Sequence, residues 1–133
     1  MLVLKKNLAS LSIVYYKVLE GEQYMNPQFH KGVIEMCVLA LVAQRDFYGY
    51  ELVEAISKKI EISEGTVYPI LRRLTQEGFF DTYLRESTEG PPRKYYRITP
   101  SGKASIQTLL NDWRSFVGSV DVILNQGENH EQV

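Results

Sequence analysis

Between Gln28 and Ala43 the apolar residues Val33, Ile34, Met36, Cys37, Val38, Leu39, Leu41 and Val42 cover nearly the whole circumference of a helical wheel. That is the pattern of a central, buried helix. Tyr48-Gly49-Tyr50 interrupts it, and Leu52, Val53, Ala55 and Ile56 then recur at helical spacing up to Lys59, which predicts a second helix. A third follows Ile62-Ser63, with Val67, Ile70, Leu71 and Leu74 at i, i+3, i+4 and i+7. Ser63 is its expected N-cap, with a hydroxyl able to accept an orphan backbone N–H, and Gly78 its C′ residue.

The helical period then gives way to two short runs, Phe79–Arg85 and Arg93–Ile98, rich in aromatic and β-branched residues. The segment Glu86-Ser87-Thr88-Glu89-Gly90-Pro91-Pro92 joins them, which predicts a hairpin with a long, proline-stiffened arm. Alternation in the second run assigns Tyr96 and Ile98 to the core and Arg93, Tyr95 and Arg97 to the surface. Thr99 caps a last helix with Pro100 at its first position, where a missing N–H costs nothing. Along that helix Ile106, Trp113 and Val120 recur every seven residues, with Leu109, Phe116 and Ile123 between them. From Asn125 the chain is polar and expected to fray. The fold class read from this order is mainly α with a small β-hairpin: a winged helix-turn-helix plus a C-terminal helix.

Length and charge narrow the functions. A chain of 133 residues, 44% hydrophobic and 23% charged, suits one compact domain. With 15 Lys+Arg against 16 Asp+Glu the net charge is −1, which argues against coating nucleic acid by bulk charge. One cysteine, Cys37, cannot form an intramolecular disulfide and reads as a small core residue. With only His30 and His130 beside it no zinc ligand set assembles, so no metal or cofactor is expected. No apolar run reaches the roughly eighteen residues of a membrane helix, because Gln44, Arg45 and Asp46 end the longest candidate. A soluble, cytoplasmic protein is the expectation.

Residues 1–24 superficially resemble a secretory signal, but Ser10, Ser12, Tyr15, Tyr16 and Lys17 interrupt the apolar stretch and no cleavage site follows. Glu20-Gly21-Glu22 can be encoded by a purine-rich, ribosome-binding sequence just ahead of Met25. The segment is therefore expected to be an extension upstream of a natural start at Met25; the alternative is an extra helix docking on a dimer. The remaining organisation is a winged-helix domain over 25–103, a dimerisation helix over 104–124 and a polar tail over 125–133.

If Val67, Ile70, Leu71 and Leu74 face the core, Gly65, Pro69, Arg72 and Gln76 lie opposite, with Tyr68 on one flank and Thr66 and Arg73 on the other. Arginine can pair bidentately with guanine and glutamine with adenine, while threonine and tyrosine can bind phosphate. Pro69 inside a helix removes a hydrogen bond and crowds the carbonyl of residue 65 at a cost of roughly 3 kcal/mol, eased because residue 65 is glycine. A local rule broken on an exposed face suggests function. Residues 63–103 hold seven Lys/Arg against five Asp/Glu, net +2, whereas 104–133 hold one against four, net −3. The third helix and the arm, with Arg93 and Lys94 where Pro91-Pro92 meets the strand, are thus the positive part, suited to a phosphate backbone or minor groove.

The runs FYGYEL (Phe47 to Leu52), ISEGTVYPILRRLTQEG (Ile62 to Gly78) and GPPRKYYRITPSG (Gly90 to Gly102) resemble the PadR-like winged-helix transcriptional regulators over essentially Met25 to Leu124. The resemblance implies a homodimeric bacterial repressor whose third helix enters the major groove of double-stranded DNA and whose wing meets the backbone or minor groove. It carries DNA contacts onto Ser63, Thr66, Tyr68, Pro69 and Arg72 of the helix and onto Arg93 and Lys94 of the wing, with Arg73, Gln76 and Tyr50 as further candidates. The family's dimer helix falls on the last helix. There Ile106, Leu109, Leu110, Trp113, Phe116, Val117, Val120 and Ile123 make a stripe too wide for one small domain to cover, so a dimer interface also follows from the residues themselves. Paired recognition helices predict a pseudo-palindromic operator with half-sites about 10 bp apart. In one branch of the family an aromatic residue at a place similar to Trp113 stacks on planar drugs, and other members respond to phenolic acids. Trp113 is therefore either a contact for a small planar aromatic effector or a filler of the dimer core.

No enzyme is expected: there is no Gly-rich phosphate loop, no carboxylate pair with a partner base, and no Ser or Cys near a His. The competing reading is a winged helix used as a protein-interaction module without specific DNA binding, for which Arg72 and Arg93 would be optional.

Overall fold

A computed structural model describes the backbone over residues 27–131 and the side chains over 31–126. The expected start at Met25 and the extra-helix alternative concern residues 1–24, outside that range. The elements are α1 (Pro27–Gln44), β1 (Phe47–Tyr48), α2 (Gly49–Ser57), α3 (Glu64–Gln76), β2 (Phe80–Ser87), β3 (Gly90–Ile98) and α4 (Pro100–Glu131). The strands form one antiparallel sheet in the order β1-β3-β2.

α1 is the central helix its apolar circumference predicts, burying Ile34, Val38, Leu39 and Val42. Against it pack Leu52 and Ile56 of α2, the predicted face Val67, Ile70, Leu71 and Leu74 of α3, Phe80 and Tyr96 of the sheet, and Ile106 of α4. Each such side chain withdrawn from water stabilises the fold by roughly 1.5–3 kcal/mol. Tyr96 lies in the core as alternation assigns it, with Ile98 half-buried at its edge.

Gly78 ends α3 at φ +83°, a left-handed conformation costly for any residue with a Cβ. The Gly78 N–H donates to the Thr75 carbonyl at 3.0 Å and the Phe79 N–H to that of Leu74 at 2.9 Å, a Schellman closure. The predicted cap of the last helix is also present. The Gly102 N–H donates to Thr99 Oγ1 at 3.0 Å, and the Thr99 hydroxyl donates to the Gly78 carbonyl at 2.7 Å, tying the start of α4 to the end of α3.

Four features differ from the sequence reading. The residues 86–92 expected as an arm are mostly strand: β2 runs to Ser87 and β3 resumes at Gly90, leaving only Thr88 and Glu89 as the turn. Pro91 and Pro92 are tolerated there because both fall at the register shift opposite Arg85–Ser87, unpaired with β2, and beyond the last β1 pair, Tyr48↔Tyr95, so neither is needed as an N–H donor. β1 itself was not expected; two residues are too short to show a period. Gly49, read as punctuation, is the first residue of α2. α4 continues past Asn125 to Glu131, as helix where a polar tail was expected.

Candidate nucleic-acid interface

α3 presents Tyr68, Pro69, Arg72 and Gln76 outward, with Thr66 half-exposed beside them. The buried stripe on the opposite side fixes that orientation, and Pro69 lies within the helix as expected. Ser63 occupies the N-cap position with extended φ −105° and ψ 160°, but its hydroxyl makes no capping bond. Instead Ser63 Oγ lies 3.3 Å from Thr66 Oγ1, which joins two candidate contacts at the leading end of the helix.

Tyr68 rests against the first turn of α2. A Cβ on Gly49 would stand 2.5 Å from its ring, so only glycine permits this approach. Burial pushes the Tyr68 phenol up, and Glu64 and Tyr48 add to the shift. Tyr48 precedes Gly49 and donates its backbone N–H to Glu51 Oε2 at 3.3 Å. Its ring stacks with that of the exposed Tyr50, centroids 6.3 Å apart. Tyr50 and Tyr68 thus flank the same helix start.

The wing root adjoins this surface. Burial raises the Tyr96 pKa, Tyr68 raises it further and Arg72 opposes them, which places that phenol within electrostatic reach of both α3 side chains. Lys94 lies on the same inner face, its ammonium 5.8 Å from the Tyr96 ring centroid. Arg93 projects to the other face, over Tyr48 at 4.7 Å. α3, the start of α2 and the wing thus carry Arg72, Lys94 and Arg93, with Lys94 on the inner face of the sheet and Arg93 on the outer.

Arg73 is a correction. Its guanidinium pairs with Glu35 of α1 and approaches Glu77 at 3.6 Å, so it braces α3 against α1 and does not join the outward face. The cause is its place on the wheel, next to the Leu74 edge of the stripe and within reach of the central helix.

Several residues of the surface were not singled out from the sequence. On the outer sheet face Tyr95 lies between Tyr48, at 5.6 Å, and Tyr83, at 5.5 Å. Arg97 lies 4.7 Å over Tyr83 and Arg85 5.6 Å over Tyr95. Asp46 Oδ2 accepts from the Tyr83 hydroxyl at 2.6 Å and from Arg97 Nε at 3.4 Å. Alternation in both strands puts Tyr83 and Arg85 on the face of Arg93 and Arg97 once the register is known, and the register is the missing signal.

α4 divides in two. Ile106 is 3% exposed and belongs to the core of its own domain, which corrects its place in the dimer stripe; Leu110 packs against the same core. Leu109, Phe116 and Ile123 are exposed, with Trp113, Val117 and Val120 half-buried between them. An apolar groove of about 380 Å³ lies between α1 and α4, lined by Gly32, Val33, Met36, Leu109, Trp113 and Phe116, with Asp112 at its side. Cys37 is half-buried, and burial pushes its thiol up, away from reactivity. Among the described residues no helix is long and apolar enough to cross a membrane.

Residues 38–108 match the Transcriptional regulator PadR-like family. An uncharacterised protein of Lysinibacillus sphaericus is 32% identical over 98 residues, 71% of this chain and 90% of that protein. The transcriptional regulator Rv3488 of Mycobacterium tuberculosis is 30% identical over 80 residues, covering 59% of this chain and 74% of its own length. Among solved structures, a PadR-like transcriptional regulator from Bacillus cereus superposes with a TM-score of 0.67 at 36% identity, over 73% of this chain and 96% of the other. The elements that carry Tyr68, Arg72, Lys94 and Arg93 therefore belong to a fold shared with regulators of transcription, and the chain belongs to the PadR-like family, whose members are DNA-binding regulators and not enzymes.

Proposed function

We propose that the protein is a homodimeric bacterial repressor acting in the cytoplasm on a pseudo-palindromic operator. α3 enters the major groove, with Thr66, Tyr68, Pro69, Arg72 and Gln76 toward the bases and phosphates and Ser63 at its leading end. Arg93 and Lys94 hold the wing to the backbone or minor groove, and Tyr50 contacts phosphate beside α2. The observation that carries this reading is Arg72: exposed at the centre of the α3 face, without a carboxylate partner among the described residues, and next to the wing root. An arginine so placed is free to pair bidentately with guanine.

The exposed Leu109, Phe116 and Ile123, with Trp113, Val117 and Val120, support dimerisation through α4, since two such helices can cover each other. The α1–α4 groove supports a planar aromatic effector stacked on Trp113, because its volume and apolar lining lie within the range of small-molecule sites.

The test is fluorescence anisotropy of the protein on its own upstream promoter DNA, beside a scrambled duplex and the Arg72→Ala variant, at two salt concentrations. Arg72→Ala is expected to cost about 1–3 kcal/mol on the specific duplex, with affinity falling steeply as salt rises. Weak binding, equal on both duplexes and indifferent to Arg72, would favour a winged helix that engages a protein partner.

A further inference from the structure

Arg85 and Arg93 stand directly opposite one another in the β2–β3 ladder. Side chains so paired in an antiparallel sheet start about 4.5–5.5 Å apart at Cβ, where like charges repel. Nothing nearby neutralises them: among the described residues neither arginine has a carboxylate within ion-pair distance. Of the carboxylates on that face, Asp46 is held by Tyr83 and Arg97, and Asp81 stands opposite Arg97 with the Tyr83–Tyr95 pair between it and the two arginines. Glu86, adjacent in sequence, sits at the register shift between Arg85 and Ser87 and forms no ion pair with either arginine.

The two guanidinium groups are nevertheless held in position. Arg93 lies 4.7 Å over the Tyr48 ring and Arg85 5.6 Å over that of Tyr95, and these two rings are themselves in contact at 5.6 Å. A guanidinium resting on an aromatic face keeps its in-plane N–H donors free, and those donors match the oxygens of a phosphate. Tyr48 also connects this shelf to the DNA-facing side through Gly49, against which the Tyr68 ring of α3 packs.

From this geometry we infer that Arg85 and Arg93, shelved on Tyr95 and Tyr48, form a clamp for one phosphodiester of the DNA backbone. The inference rests on the DNA-binding reading above and adds a residue, Arg85, and an anion site to it. The bound phosphate removes the repulsion between the two cations, and a contact of this kind positions the protein without reading sequence.

The test is a salt titration of anisotropy with the full chain on its operator and on a scrambled duplex, from about 0.05 to about 0.2 M salt. Arg85→Ala is expected to weaken both duplexes by the same factor, roughly tenfold. It should also flatten the slope of log K against log salt by about 0.9, the contribution of one phosphate contact. Arg85→Gln should do the same, and Arg114→Ala on the exposed side of α4 should leave both quantities unchanged. Inorganic phosphate exchanged for chloride at constant ionic strength should not displace the duplex. Wild-type binding with an unchanged slope in both Arg85 variants overturns the clamp while leaving the DNA reading intact. Displacement by millimolar free phosphate assigns the pair to the free anion and also overturns it. A wild type that binds neither duplex overturns the clamp and the proposed function together.

Discussion

The Tyr83 hydroxyl donates to Asp46 Oδ2 at 2.6 Å, across 37 positions of the chain, and so fastens β2 of the wing to the turn that follows α1. Arg97 reaches the same carboxylate oxygen, at 3.4 Å, while its guanidinium lies over the Tyr83 ring. One carboxylate thereby joins both strands of the wing to the end of the central helix.

This bond makes stability sensitive to alkaline pH. A phenolate cannot donate, so the bond to Asp46 raises the Tyr83 pKa, an effect that burial and the Asp46 charge reinforce and Arg97 opposes. A pKa raised in the folded state means stabilisation that is intact below the ordinary tyrosine value of about 10 and lost as pH rises through the higher folded value. Urea midpoints measured from about pH 9 to about pH 11 should fall more steeply for the wild type than for Tyr83→Phe. Parallel curves would show that the bond contributes nothing to stability.

Arg73 and Arg72 are adjacent in sequence and should separate cleanly in experiment. Arg73→Ala removes the pair with Glu35 and the approach to Glu77, and leaves a partly buried carboxylate without its partner. A loss of about 1–2 kcal/mol in unfolding free energy is expected. Glu35→Ala should cost a similar amount, and the double variant no more than either alone. The salt slope of DNA binding should be unchanged by Arg73→Ala and reduced by Arg72→Ala. A reduced slope in the Arg73 variant, at unaltered stability, would return that residue to the DNA-facing set.

How far the sequence carried these residues follows from what each element needed to be recognised. Val67, Ile70, Leu71 and Leu74 announce α3 because a buried stripe repeats at a fixed period, and Gly78 announces the end of α3 and Thr99 the start of α4 because caps are local chemistry. Tyr83, Arg85 and Asp46 stayed silent because their significance lies in register, which pairs residues far apart in the chain. Arg73 and Ile106 were misplaced for a related reason. A wheel shows the direction in which a side chain leaves its helix, but not whether Glu35 or the core of the same domain stands there to receive it.

The groove between α1 and α4 offers a direct optical test. Trp113 is the single tryptophan of the chain and lines the groove with Met36 and Phe116, so emission excited in the tryptophan band reports on this site alone. Planar cationic dyes or phenolic acids at micromolar concentration should quench it saturably, as ring stacking on the indole requires. Purely linear quenching across such a panel would leave Trp113 as a filler of the proposed dimer core.

Ile106 and Phe116, ten positions apart on α4, should respond to substitution in opposite ways. Ile106 is enclosed by its own domain, so Ile106→Ala opens a cavity and is expected to cost about 2–5 kcal/mol of unfolding free energy while leaving the oligomeric state alone. Phe116 is 58% exposed at the edge of the α1–α4 groove, outside the buried core, and adds little to the domain that carries it. Phe116→Asp sets a carboxylate in the stripe that a second α4 is proposed to cover, where both copies would meet a buried, unpaired charge. Sedimentation velocity should show a dimer for the wild type and for Ile106→Ala, and a folded monomer for Phe116→Asp with its helical circular dichroism retained. A wild type that sediments as a monomer would remove the dimer, and with it the physical reason for two operator half-sites about one helical turn apart.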